Sequence, residues 1–283
     1  MKAALLGFPQ AGKRTLFSLL SGRTVPAGLK EDEGLEGQAP VRDPRVDAIS
    51  AICRPEKTKY AETTFVLCPD VQEGDAARSW MEVARRCDLL CLVIRAFTSD
   101  SVYHFKGTVD SERDRGNLES EILFADLELV EKRLERLAKE KKAGQTPAQL
   151  QEEKVLVRCR EQLEAGKKWG SFSLEAHEMT AIRSLNLLIL KPLLWTYNVD
   201  ETAVKDGGSN PFTIAAKIEQ EIMGIEDAKE RSEFLTTLGL SASGLDRMNR
   251  AAYDAMGLMS FYTMGKDEVR AWTIKKGTLA PAA

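Results

Sequence analysis

The chain has 283 residues, 43% of them apolar and 29% charged, with a formal net charge of −3. That length supports one large globular unit or two smaller ones, with ample core. The near-neutral charge excludes a global basic field for nucleic acid or membrane, nothing points to DNA, and no apolar run approaches a membrane span.

The first element is a short apolar strand, 2–6, which leaves no room for a signal peptide. It runs straight into Gly7-Phe8-Pro9-Gln10-Ala11-Gly12-Lys13-Arg14-Thr15. This is the phosphate-binding loop pattern G-x-x-x-x-G-K-S/T with one position changed. A strand, a Gly-bearing turn and a helix start aim backbone N–H groups at phosphate oxygens. Lys13 would reach the outer phosphates, but Arg14 stands where a hydroxyl should bind Mg²⁺. A similar turn occurs in doubly wound sheets that bind no phosphate, so the motif alone does not decide. Residues 16–22 read as an amphipathic helix stopped by Gly22.

Residues 24–40 are rich in Gly, Glu and Asp without periodicity and are expected to form a mobile loop. Strands are predicted at 63–67, 89–94, 193–197 and 211–215, and helices at 44–52, 76–86 and 185–190. Alternating short apolar strands and helices indicate an α/β fold with a mostly parallel sheet. A charged block from about 117 to 168 interrupts them. Leu123, Leu127, Val130, Leu134 and Leu137 form one heptad seam. Thr146-Pro147 can start a second helix carrying Leu156, Cys159 and Leu163, giving an antiparallel helical hairpin. It serves either as a stabilising insertion or as an arm for a macromolecular partner.

Asn198-Val199-Asp200-Glu201 leaves the carboxyl end of a strand, where α/β sheets bind ligands. Asn198 alone could be a turn residue. Ala215, Ala216 and Lys217 end the next strand and could pack against a base or ribose. Phosphate loop, Asn-bearing strand end, then Ala-Lys strand end is the order of P-loop GTPases. The cysteines, Cys53, Cys68, Cys87, Cys91 and Cys159, show no paired metal-binding spacing and read as reduced thiols. His104 and His177 are the only histidines, which argues against a His-based metal site.

These stretches resemble the YchF/Obg-like ATPase family, a branch of the Obg-related GTPases. Residues 7–17 are similar to its G-L-P-N-V-G-K-S-T-L-F, and Asp43-Pro44-Arg45-Val46-Asp47 to its D-P-R-L-D. Ala125-Asp126-Leu127-Glu128 resembles part of its helical insertion. Asn198-Val199-Asp200-Glu201 matches its N-V-D-E, and residues 268–278 its E-V-R-A-W-T-I-K-K-G-T. The resemblance spans nearly the whole chain. It implies a G domain at 1–112 and 185–257, a coiled-coil arm at 113–184, and the start of a β-grasp TGS domain at 258–283. It also implies binding of ATP over GTP, with Asn198, Val199 and Glu201 nearest the base, and association with ribosomes or translation factors in the cytoplasm.

Departures from the family pattern fall on one side of the site. Arg14 replaces the Mg²⁺-binding Ser, and Thr15 lies about a quarter turn away. Leu67 or Cys68 stands where the Mg²⁺-side Asp belongs, and Asp70, after Pro69, is not expected to replace it. Thr24 and Thr58 do not match the switch threonine. Mg²⁺ is left without a clear ligand set, and no catalytic residue is assigned. The reading is therefore a nucleotide-binding protein with weak or lost hydrolysis, in which Arg14 supplies a fixed charge to the phosphates. The alternatives are an active ATPase with an unusual metal site and a pseudo-GTPase that only binds a partner. Residues 260–277 could make a hairpin. Such a hairpin is marginal alone and must dock on the G domain, pair with another chain, or be continued.

Overall fold

The computed structural model describes residues 1–29, 33–74, 78–141, 144–166, 169–172, 174–204 and 211–279. In chain order the first elements are β1 (Lys2–Leu6), α1 (Lys13–Ser21), β2 (Leu35–Val41), α2 (Pro44–Cys53), β3 (Lys57–Lys59), β4 (Ala61–Leu67), α3 (Ser79–Arg85) and β5 (Leu89–Ala96). Then come α4 (Ser111–Glu140), α5 (Pro147–Glu164), α6 (Ala176–Ile182), β6 (Leu193–Val199), β7 (Phe212–Ile214), α7 (Ala216–Gly224), α8 (Ala228–Thr237), α9 (Gly244–Ala255), β8 (Leu258–Met264) and β9 (Glu268–Lys275).

The main sheet has the order β2-β4-β1-β5-β6-β7. All its pairings are parallel except β2 against β4. Its inner strands β1, β5 and β6 are buried on both faces, so both faces must be covered. Ala3 and Leu5 of β1 join Phe65, Leu89 and Val93 under α1 and α9. Their neighbours Ala4 and Leu6 point the other way and join Val66, Leu90 and Ile94 under α3 and α4. The period of two thus divides one run of apolar residues between two cores.

α4 serves two layers. Leu118, Ile122 and Ala125 in its first half cover the sheet. Val130 and Leu137 in its second half are buried against Val155, Leu156, Cys159 and Leu163 of α5, with Leu123, Leu127 and Leu134 packed alongside. A capping box between Thr146 and Gln149 starts α5, with Pro147 in its first turn. Pairing of Glu140 with Gln149 and of Arg133 with Glu152 shows that the two helices run antiparallel.

The second sheet has the order β3-β9-β8. β8 and β9 form the expected hairpin, and β9 also pairs with β3. Val46, Tyr253, Leu258, Val269 and Ala271 make the core beneath it. The hairpin is therefore docked on the rest of the chain.

Two expectations need correction. Residues 35–40, expected as loop, belong to β2, where Gly37, Ala39 and Val41 are buried and Glu36, Gln38 and Pro40 are exposed. The alternation was present but carried by small residues, and Pro40 is tolerated because β2 is an edge strand. The α-helix expected at 185–190 is absent, and two short 3-10 turns, Arg183–Leu185 and Leu188–Leu190, occupy this region. The start of the helix expected at Ala76 and the chain end at 280–283 lie outside the described residues, as do residues 30–32 of the expected loop.

Candidate functional site

The loop from Gly7 to Gly12 joins the buried end of β1 to α1. Gly12 has φ 95°, a left-handed conformation, and a Cβ there would collide with the Asn198 side chain. A Cβ at Gly7 would collide with the Val93 carbonyl. Gly12 is therefore required by its backbone conformation and by close approach, and Gly7 by close approach alone. Gln10 also lies at positive φ, 59°. That conformation is uncommon for a side-chain-bearing residue and suits the Asn of the family pattern better. No side chain caps the first turn of α1, so the positive end of the helix faces the cradle.

Lys13 is 3% exposed and makes three directed contacts. Its Nζ donates to the carbonyls of Gly7 at 2.6 Å and Phe8 at 2.8 Å. The third proton goes to Asp70 Oδ1 at 2.5 Å. Burial pushes the Lys13 ammonium below its ordinary value, against the opposing pull of Asp70. Asp70, not expected to replace the Mg²⁺-side Asp, reaches the loop lysine, a contact that the sequence analysis did not anticipate. The segment is held from both sides, by Cys68 N–H to the Leu5 carbonyl and Val71 N–H to the Gly7 carbonyl, each 3.1 Å. Leu67 and Cys68 are buried apolar neighbours.

Arg14 is exposed, and its Nη2 donates to the Pro26 carbonyl at 2.9 Å. Its guanidinium thus rests on the loop after α1. Thr15, half-buried, faces a cavity of about 630 Å³ instead. Val199, Glu201, Ala215, Ala216 and Lys217 line that cavity, together with Gly12 and Asn198.

Asn198 connects the two ends of the site. Its Nδ2 donates to the Ala11 carbonyl at 3.1 Å, and its Oδ1 accepts from the Ala216 amide at 3.1 Å. It is 4% exposed and still within β6, so it is a staple between loops instead of a turn residue. Asp200 accepts from the Thr98 amide and hydroxyl. Glu201 pairs with Lys217 at 3.2 Å across the cavity mouth. Phe97, Thr98 and Val102 also line the cavity, although no sequence pattern marks them as part of the site. The next segment covers the phosphate loop, with Phe105 against Phe8 at 4.9 Å. His104 Nδ1 accepts from the Lys106 amide, so Nε2 carries the proton donated to the buried Asp114.

A parallel sheet with a Gly-Lys loop after its first strand, and an Asn staple from a later strand end, defines a P-loop protein of the GTPase architecture. Comparison with known proteins narrows this class. The chain is 32% identical over 303 residues to "Ribosome-binding ATPase YchF" of Escherichia coli O157:H7, covering 100% of this chain and 83% of the relative. It is 30% identical to the protein of that name in Bacillus subtilis, covering 99% and 83%. The solved structure of the Schizosaccharomyces pombe YchF GTPase superposes with a TM-score of 0.81 at 26% identity, over 99% of this chain and 82% of that one. A family model, YchF-GTPase_C, described as "Protein of unknown function (DUF933)", matches residues 258–283. The chain belongs to the YchF family.

Proposed function

We propose that the cavity beside Asn198 binds a purine nucleoside phosphate, ATP or GTP, with its phosphates at Gly7 to Thr15 and its base near Asn198, Val199, Glu201, Ala215, Ala216 and Lys217. The observation that carries this is the Asn198 staple, which joins the phosphate loop to the far wall of one cavity. The glycine cradle and the helix N-terminus fit phosphate oxygens. Asp200 is bonded to Thr98, and Glu201, longer than the Asp that GTPases aim at guanine, faces Lys217 in an exposed pair, an arrangement that supports ATP over GTP.

The residues present do not fit Mg²⁺. Arg14 replaces a hydroxyl ligand, Leu67 and Cys68 are buried and apolar, and Asp70 is paired with Lys13. Phosphoryl transfer depends on positioned charge at the outer phosphate, so hydrolysis is slow or absent. Arg14 adds positive charge near the loop without entering the cradle in this conformation.

The relatives' name, ribosome-binding ATPase, supports a ribosome partner and a cytoplasmic location for this chain as well. Among the described residues no helix is long and apolar enough to cross a membrane. The α4–α5 pair is the proposed arm, within a division into a G domain (1–112 and 185–257), an insertion (113–184) and a C-terminal segment (258–283).

Titration with fluorescent ATP and GTP analogues, with and without Mg²⁺, tests this. Binding should be nearly indifferent to Mg²⁺, and Lys13→Ala should weaken it about 10- to 100-fold, the worth of one buried charge-assisted contact. Rapid phosphate release that depends on Mg²⁺ and Lys13 would instead establish an active ATPase. Absence of binding would leave a partner-binding module.

A further inference from the structure

We propose that Asp70 is a built-in competitor for the outermost phosphate, so that the site selects nucleoside diphosphates over triphosphates. This rests on the nucleotide reading above and goes beyond it, by naming the residue that sets phosphate number.

An ammonium has three protons to donate. Those of Lys13 go to the Gly7 carbonyl, the Phe8 carbonyl and Asp70 Oδ1. In a phosphate loop the lysine serves the β- and γ-phosphates. A carboxylate oxygen 2.5 Å from Nζ therefore stands where a phosphate oxygen would make its contact. The segment that carries Asp70 is anchored to β1 and the loop. Val71, fully buried, ties its amide to the Gly7 carbonyl, and Cys68 ties its own to the Leu5 carbonyl. These bonds anchor the main chain on both sides of Asp70, and its half-exposed carboxylate is directed at the loop by the ion pair with Lys13.

A triphosphate must bring its terminal charge next to this anion. The cations that could offset the repulsion are otherwise placed: Lys13 is shared with Asp70, and Arg14 rests on the Pro26 carbonyl. A diphosphate escapes the conflict. Its terminal phosphate fits the N–H cradle at the start of α1 and does not need the third Lys13 proton. Asp70 thus stands in for the missing γ-phosphate and satisfies the lysine when a diphosphate is bound.

The test is calorimetric titration of the full chain with ADP and with a non-hydrolysable ATP analogue, each with and without Mg²⁺. Wild type is compared with Asp70→Asn and Asp70→Ala, whose folding is verified by thermal unfolding without nucleotide. Wild type should bind ADP more tightly than the ATP analogue. Both variants should gain about tenfold or more for the ATP analogue, the effect of removing one close like charge, with ADP affinity changed far less. Equal affinities in wild type, or a ratio unmoved by both variants, overturns the inference and leaves nucleotide binding intact. A loss of ATP-analogue affinity confined to Mg²⁺ also overturns it, because Asp70 would then be a metal ligand. No binding of either nucleotide to any of the three proteins overturns the nucleotide reading and the inference together.

Discussion

Asp43 shows how much one carboxylate can organise. It caps α2 by accepting from the Arg45 amide at 3.0 Å, and it also accepts from the Arg45 guanidinium and from the Tyr262 hydroxyl at 2.6 Å. Tyr262 lies on β8, so this cap joins the main domain to the second sheet. Burial alone would push the carboxyl up, but the bonds from Arg45 and Tyr262 outweigh it and bring it from 3.8 to about 2. The folded value lies below the unfolded one, so the stabilisation is present above about pH 4 and is lost as pH falls through about 2. Its worth, after solvent screening, is about 1–2 kcal/mol. Asp43→Asn should lower stability at neutral pH by that amount and flatten the acid limb between about pH 4 and 2. Urea unfolding across this range measures both, and an acid limb as steep as wild type would refute the assignment. The Asp43 cap had a local signal, because a cap and its helix are adjacent, although the sequence analysis noted Asp43-Pro44-Arg45 only for its resemblance to the family. The Lys13–Asp70 contact had none, since it spans 57 residues and exists only because β1 and β4 are neighbours in the sheet.

Elements were legible where their periodicity was carried by large apolar side chains. The seam from Leu123 to Leu137 and the Thr146 start of α5 are of this kind. β2 was hidden because Gly37 and Ala39 fill buried positions, and at Gly37 Ser21 and Phe17 of α1 leave no room for a side chain. α9 had a readable signal that the sequence analysis did not use: Leu245, Met248, Asn249, Ala252 and Tyr253 are buried at helical spacing. The α4–α5 pair is also held by a two-pronged bond from Arg133 to Glu152, at 2.7 and 2.8 Å. Both side chains are mostly shielded, at 21% and 12% exposure. Such a bidentate pair is worth about 1 kcal/mol, more than an open surface pair. Arg133→Ala should therefore speed amide exchange in α5 and the second half of α4. β1 and α1 should keep their protection, because α4 reaches the sheet through its other half. Acceleration spreading into β1 would show that the pair does not open as a separate unit.

At the scale of the whole molecule the question is whether the two sheets unfold together. Their connection is not a simple linker. β3 is separated from β4 only by Tyr60, and it pairs with β9 in register Lys57 to Glu268 and Lys59 to Arg270. A strand near the carboxyl end of the chain thus clamps the segment that enters β4, and β4 leads on to Asp70. Tyr253 adds a second tie, its hydroxyl meeting Ser260 Oγ at 2.9 Å and Thr273 Oγ1 at 3.2 Å. Beneath the sheet, Leu258 is 2% exposed among Val46, Tyr253 and Val269. Truncating a leucine so packed removes its transfer energy and leaves a cavity, a loss of about 2–4 kcal/mol. If the hairpin and the main sheet form one cooperative unit, Leu258→Ala should lower the urea midpoint of the entire chain in a single transition with an unchanged slope. The exchange protection of β1 and of β9 should then fall together. A hairpin that melts alone would instead expose residues 258–275 to exchange early, leave the main midpoint in place, and show that the docked sheet contributes nothing to holding the phosphate loop and its lysine.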